Sequence, residues 1–246
     1  MAAGGEQGTV GVVGPADPVE DSLTDTERAV VRGSAEAVRE AAPDWVLAVG
    51  EAALVDLVAA GVDRPVLPVG VAAAVRPVPR DRADAAIRSV LAGNATTRER
   101  TLLSVAVDHD PVGRALLDVA LVTDVPARIS EFGVEAGGDP VARFRADGVV
   151  VATPAGSVGY ARDAGGPILS PGTESVGVVP ISPFATEADH WVLRDESVVA
   201  APHREEAVAV VVDGRKRQVI GAGESVSMAA DGRLAILSVP EAGPAR

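Results

Sequence analysis

The sequence contains no cysteine, so disulfides, thiolate metal sites and a cysteine nucleophile are all excluded. Aromatic residues make up only 2% of the chain, which leaves Val, Ala and Leu to pack any core. No apolar run approaches the roughly eighteen residues needed to span a bilayer. The first residues, MAAGGEQGTV, have neither a basic start nor a long apolar stretch, so no secretory signal and no membrane association are expected, and a cytoplasmic location is. Lysine is nearly absent too, occurring only as Lys216.

Thirty-five acidic residues against twenty-two basic ones give a net charge of −13. Such a surface suits concentrated salt, where the Debye length falls to about 3 Å at 1 M and self-repulsion is screened. A GC-rich genome favouring Ala, Arg, Gly and Val codons gives the same bias by another route. On either account the chain offers no electrostatic footprint for a nucleic-acid backbone.

Length allows two modest domains with a core in each. Residues 9–92 read as alternating strand and helix. Thr9–Val13, Trp45–Val49 and Pro65–Val69 are the strands. A capping box at Thr24 and Glu27 opens a helix to about Ala41, followed by helices at Ala53–Ala60 and Asp81–Leu91. That alternation implies a parallel sheet covered by helices, with its ligand site at the carboxyl ends of the strands. From about Thr97 the texture changes to short β-branched segments at Thr101–Val107, Ala115–Val122, Val141–Phe144, Val149–Ala152, Val176–Pro180, Ser197–Ala200, Ala207–Val212 and Leu234–Val239. Turns at Gly137-Gly138, Asp147-Gly148, Asp213-Gly214 and Asp231-Gly232 separate them, as in a β-sandwich. The expected fold is therefore an α/β domain over 1–96 followed by an all-β domain over 97–246, α+β overall, with a cleft between them as the default ligand site.

One segment stands out. The strand Val149–Ala152 runs into Thr153-Pro154-Ala155-Gly156-Ser157, then Tyr160, the only tyrosine, then Gly165-Gly166-Pro167. Proline fixes one φ angle, while alanine and glycine leave the backbone bare for close approach of a ligand. Thr153 and Ser157 carry hydroxyls that both donate and accept, and Tyr160 offers a flat ring. Turn chemistry alone is equally served by two ordinary turns and a core tyrosine.

The order Asp147-Gly148, Thr153-Pro154-Ala155-Gly156-Ser157-Val158-Gly159-Tyr160, Gly165-Gly166-Pro167-Ile168, Pro171, Pro180-Ile181-Ser182-Pro183 and Asp213-Gly214 resembles the hallmark of the NAD kinase family over roughly seventy residues. Arg98-Glu99-Arg100-Thr101-Leu102-Leu103 looks like that family's entry into its β-domain. The resemblance implies the same α/β-then-β fold. It also implies phosphorylation of the adenosine 2′-hydroxyl of NAD to give NADP, with ATP and Mg²⁺ at the donor side and NAD as substrate. Self-association is a further implication.

By resemblance, polar contacts to the dinucleotide come from Thr153 and Ser157 and packing from Tyr160. A hydrogen bond comes from Asp147, and further contacts come from Ala155, Gly156, Asp163, Gly165, Gly166 and Asp213. Ala155 and Val158 stand where the hallmark has threonines, and Asp163 where it has a serine. Each lost hydroxyl removes a hydrogen bond worth about 0.5–1.5 kcal/mol.

The first half departs further. The family's GGDGT corresponds here to Val49-Gly50-Glu51-Ala52-Ala53, which retains Gly50 for the phosphates and Glu51 as candidate base. The family's Asn-Glu pair corresponds to Leu117-Asp118, leaving Asp118 as the retained carboxylate. Glu51 reads equally as a helix-end charge, and Asp118 equally as a strand-surface charge. The chain runs only a few residues past Val239, so no segment returning to the first domain is expected. The asymmetry between halves supports a second reading, a catalytically inactive relative that binds NAD or NADP in a regulatory or structural role. His109, His190 and His203 lie in polar segments and are expected on the surface, without metal-ligand spacing. There is no Walker A sequence, G-x-S-x-G elbow or G-x-G-x-x-G fingerprint.

Overall fold

In the computed structural model of the chain, the described residues are 8–15, 23, 28–71, 75, 77–125, 128–185, 188–194, 197–204 and 206–240. They divide into two compact units. One is Met1–Arg100 with Leu234–Arg246, the other Thr101–Arg233.

The first unit is α/β. Strands β1 (Thr9–Val13), β2 (Ala29–Arg32), β3 (Trp45–Val49) and β4 (Val66–Val69) lie parallel in the order β2-β1-β3-β4. Every residue of β3 and β4 is buried, as expected of parallel strands covered on both faces. Helices α1 (Ala35–Ala41), α2 (Glu51–Ala59) and α3 (Ala83–Leu91) follow the strands, α3 after a 3₁₀ turn at Arg80–Arg82. The core gathers Val10, Val12, Trp45, Leu47, Leu67 and Ile87.

Two expectations change here. The Thr24–Glu27 capping box lies outside the described residues, and Ala29–Arg32 is a strand, not helix. Its Ala-Val-Val-Arg run pairs with β1 along Thr9–Val12, and α1 starts only after Gly33. Ser34 caps α1, its Oγ accepting from the Ala37 N–H at 3.3 Å. Replacing Ser34 by alanine is expected to cost about 0.5–1 kcal/mol, read as a shift in the urea midpoint. An unchanged midpoint would show that the cap contributes nothing.

The second unit is an antiparallel sandwich. One sheet contains β5 (Thr96–Val107, from Thr101 on), β6 (Asp110–Ala115), β8 (Ser130–Ala136), β9 (Asp139–Ala146), β13 (Val198–Pro202) and the first part of β16 (Val226–Ser238). The other runs β12 (Trp191–Arg194), β11 (Ser175–Ile181), β10 (Gly148–Ala152), β7 (Asp118–Thr123), β14 (Val208–Val212) and β15 (Arg215–Ile220). Alternate residues of these strands, including Val119, Leu121, Val149, Val151, Val178 and Val210, point into a shared core around Phe132. The opposite face of the second sheet buries Ala120, Val150, Ala152 and Val179 beneath a short helix, α4 (Tyr160–Asp163).

The end of β16 returns to the first unit, contrary to expectation. Ile236 pairs in parallel with Val66, and Leu237 and Val239 join the first core. Asp231-Gly232, read as a break, is spanned by β16 with Gly232 at φ 83°. The run Ala115–Val122 is not one strand either: β6 ends at Ala115 and β7 begins at Asp118. No helix among the described residues is long and apolar enough to cross a membrane.

Candidate functional site

The interruption at Leu116-Leu117 has a direct cause. Both oxygens of the Asp213 carboxylate accept backbone N–H groups from this turn: Oδ2 from Leu116 at 2.8 Å, Oδ1 from Leu117 at 2.8 Å and from Asp118 at 3.1 Å. Asp213 follows β14 in the left-handed region (φ 46°), with Gly214 at φ 74° completing the tight turn into β15. Asp213 is buried. Desolvation pushes its carboxyl above the usual carboxylate range, opposed by the three N–H bonds and the nearby Arg217 charge.

The carbonyls of the same turn hold the glycine-rich loop. Thr153 donates its hydroxyl to the Leu116 oxygen at 2.6 Å and its N–H to the Leu117 oxygen at 2.9 Å. The Thr153 Oγ1 in turn accepts from the N–H groups of Ala155 (3.1 Å) and Gly156 (3.2 Å). The Ser157 hydroxyl donates to the Pro154 oxygen at 2.9 Å and accepts from the Leu169 N–H at 3.0 Å. Thr153 and Ser157, expected by resemblance to face a dinucleotide, are each 1% exposed and spend their hydroxyls on the protein's own backbone. Gly156 is required for a steric reason: a Cβ there would overlap the Leu117 carbonyl. Ala155 is buried as well, where a threonine would have to place a further hydroxyl.

What the loop presents outward begins at Gly159. Tyr160 is 43% exposed at the start of α4, with its hydroxyl pushed to higher pKa by burial and then by the carboxylates of Asp118 and Asp147. The three side chains therefore share one electrostatic neighbourhood. Asp163 and Gly165 are exposed beside them in sequence, and a Cβ at Gly166 would meet Val179 at 2.5 Å and the Ala161 oxygen at 2.8 Å. Close packing on β11 thus dictates that glycine. His190, exposed as expected, lies against Gly165: its Cε1 is 3.4 Å from where a Cβ would stand.

In the first unit, β1, β3 and β4 each end on a glycine with positive φ: Gly14 (100°), Gly50 (89°) and Gly70 (64°). Gly50 donates its N–H to the Val69 oxygen at 2.8 Å and leads into α2, which places Glu51 exposed in the first turn. Arg80, which sequence reasoning missed, lies across these turns. A Cβ at Gly70 would meet its Nε at 2.7 Å, and one at Gly50 its guanidinium at 3.7 Å. Nothing in the Pro79-Arg80-Asp81 sequence marks it. The site residues thus fall into two sets, Gly50 and Glu51 with Arg80 in the first unit and the remainder in the second.

Residues 116–233 match the family model of the ATP-NAD kinase C-terminal domain. In this segment the chain is similar to the NAD kinases. The match begins at Leu116, the first residue whose N–H Asp213 holds. Among curated relatives, the NAD kinase of Methanoculleus marisnigri is 38% identical over 117 residues, 47% of this chain and 43% of that protein. That of Methanothermobacter thermautotrophicus is 36% identical over 137 residues, 55% of this chain and 48% of that protein. The matches thus span about half the length of these relatives. The fold is shared with an NAD kinase from Archaeoglobus fulgidus solved with ATP, at TM-score 0.79, 20% identity and 95% coverage of each chain. It is also shared with yeast NADH kinase solved with NADH, at TM-score 0.80 and 16% identity, covering 95% of this chain and 84% of that one. The NAD kinase likeness in sequence is concentrated in the second unit, where the Asp213–Thr153 assembly is built.

Proposed function

We propose that the chain is an NAD kinase, moving the terminal phosphoryl group of ATP onto the adenosine 2′-hydroxyl of NAD. The observation that supports this reading is the assembly of the turn 116–118 with the loop 153–157, inside the segment that matches the ATP-NAD kinase C-terminal domain. In it, the second unit receives the dinucleotide through Asp118, Asp147, Tyr160 and the backbone of the 159–166 stretch. The carboxyl ends of β1, β3 and β4 in the first unit receive the donor phosphates, with bare glycines and the Arg80 guanidinium to neutralise charge. The ribose 2′-oxygen attacks the γ-phosphorus, the bond to ADP breaks, and the 2′-hydroxyl proton passes to the Glu51 carboxylate. Among the described residues no three His, Asp or Glu side chains form a metal cage. Mg²⁺ belongs to this reading as the counter-ion of the donor phosphates, supplying charge neutralisation when bound.

NADP formation from NAD, with ATP or polyphosphate, Mg²⁺ and molar salt, tests the proposal. Glu51→Ala is expected to lower kcat about a hundredfold, the lower end of what a positioned general base contributes. Undiminished turnover in that variant would leave Glu51 as a helix-end charge, and no turnover in wild type with any of these donors would remove the kinase activity.

One observation favours a second reading, a non-catalytic NAD or NADP binder. The segment Val49-Gly50-Glu51-Ala52-Ala53 keeps a single glycine, and its glutamate reaches about one methylene further than an aspartate, a displacement of the ~1 Å order that costs about a hundredfold in rate. Saturable nucleotide binding without turnover is its signature.

A further inference from the structure

We infer that Asp213 is a positioning residue for the dinucleotide site, fixing the Asp118 carboxylate and the Thr153–Ser157 loop in one frame while touching no ligand itself. The inference rests on the proposal that the second unit binds NAD.

A continuous hydrogen-bond path supports it. The Asp213 carboxylate holds the N–H groups of Leu116, Leu117 and Asp118, and its own N–H donates to the Asp118 oxygen at 2.9 Å. Asp118 is therefore gripped on both sides of its Cα by one residue. The outward carbonyls of Leu116 and Leu117 hold Thr153, and Thr153 holds the N–H groups of Ala155 and Gly156. Displacing the turn shifts two things together: the Asp118 side chain, whose charge reaches Tyr160, and the loop that leads to Tyr160. The carboxylate accepts three N–H bonds from the turn, and Asp213 is only 8% exposed. The left-handed backbone of Asp213 is set by the tight turn with Gly214, which makes the β14–β15 hairpin the anchor of the frame.

Hydrogen exchange on the full chain, read by mass spectrometry, together with NAD titration of the same samples, tests this. In Asp213→Asn one acceptor oxygen becomes an amide that repels the turn's N–H groups. Exchange is expected to quicken at least tenfold both at Leu116–Asp118 and at Ala155–Gly156, and NAD binding to weaken at least tenfold. In an Asp118→Ala background the same substitution is expected to weaken binding by a clearly smaller factor, because of its two routes only the one through the loop remains. Faster exchange confined to the 208–220 hairpin would overturn the inference, as would an undiminished binding loss in the Asp118→Ala background. If wild type binds no NAD, the binding proposal fails while the exchange pattern still decides whether Asp213 holds turn and loop together. Should Asp213→Asn not fold, Thr153→Val cuts the network from the loop side. Quickened exchange at Ala155–Gly156 with 116–118 still protected supports Asp213 as the turn's holder; loss of protection at 116–118 overturns it.

Discussion

Asp213→Ala is expected to destabilise the second unit by at least about 3 kcal/mol. The carboxylate satisfies three N–H groups of a buried turn, and truncation to a methyl leaves all of them without their acceptor. Each buried donor left unsatisfied costs about 1–3 kcal/mol, and water entering the vacated space recovers only part of it. Alanine is also a poorer occupant of the left-handed backbone at φ 46° than aspartate. A domain of this size is stable by about 5–15 kcal/mol, so the loss amounts to a large share of the total. Urea unfolding of the full chain followed by circular dichroism measures it. A loss below about 1 kcal/mol, the net value of one ordinary hydrogen bond, would mean that the turn does not depend on this side chain.

Gly156→Ala is the second large effect. The added Cβ would overlap the carbonyl carbon and oxygen of Leu117 and come within 2.8 Å of its Cα, so the obstruction is backbone with no flexible end to give way. Overpacking in a well-filled core costs about 1–3 kcal/mol, and a backbone obstruction belongs at the top of that range. Relief would require the loop to leave the turn, breaking the bonds from Thr153 and lowering nucleotide affinity with stability. Gly177→Ala is the matched control, since a Cβ there meets only Leu169 Cδ1 at an ordinary 3.8 Å. It is expected to be neutral or to stabilise by up to about 1 kcal/mol, as removing glycine from a strand does. Equal thermal midpoints for the two alanine variants would contradict the close approach of loop and turn.

The parallel strands β1, β3 and β4 were legible because their β-branched, glycine-terminated runs serve a sheet buried on both faces. Ala29–Arg32 was not, because its strand character comes from pairing with β1 and outweighs a nearby helix signal. The Asp147–Ile168 stretch was legible as a tight polar loop, but the partners of its hydroxyls were not. Composition shows that Thr153 and Ser157 can hydrogen-bond, and only the fold shows that Leu116 and Pro154 take their protons. The break at Leu116-Leu117 was equally hidden. The residues are apolar like their neighbours, and the cause lies ninety-six residues away for Leu117, at Asp213. Arg80 went unnoticed for the same reason.

Equilibrium thermal unfolding of the full chain with increasing NAD or NADP, in molar salt, tests the dinucleotide site most directly. A saturable stabilisation is expected, reaching about 2.7 kcal/mol at a hundred times Kd. Unchanged unfolding with NAD, NADP and ATP at millimolar concentration would contradict it.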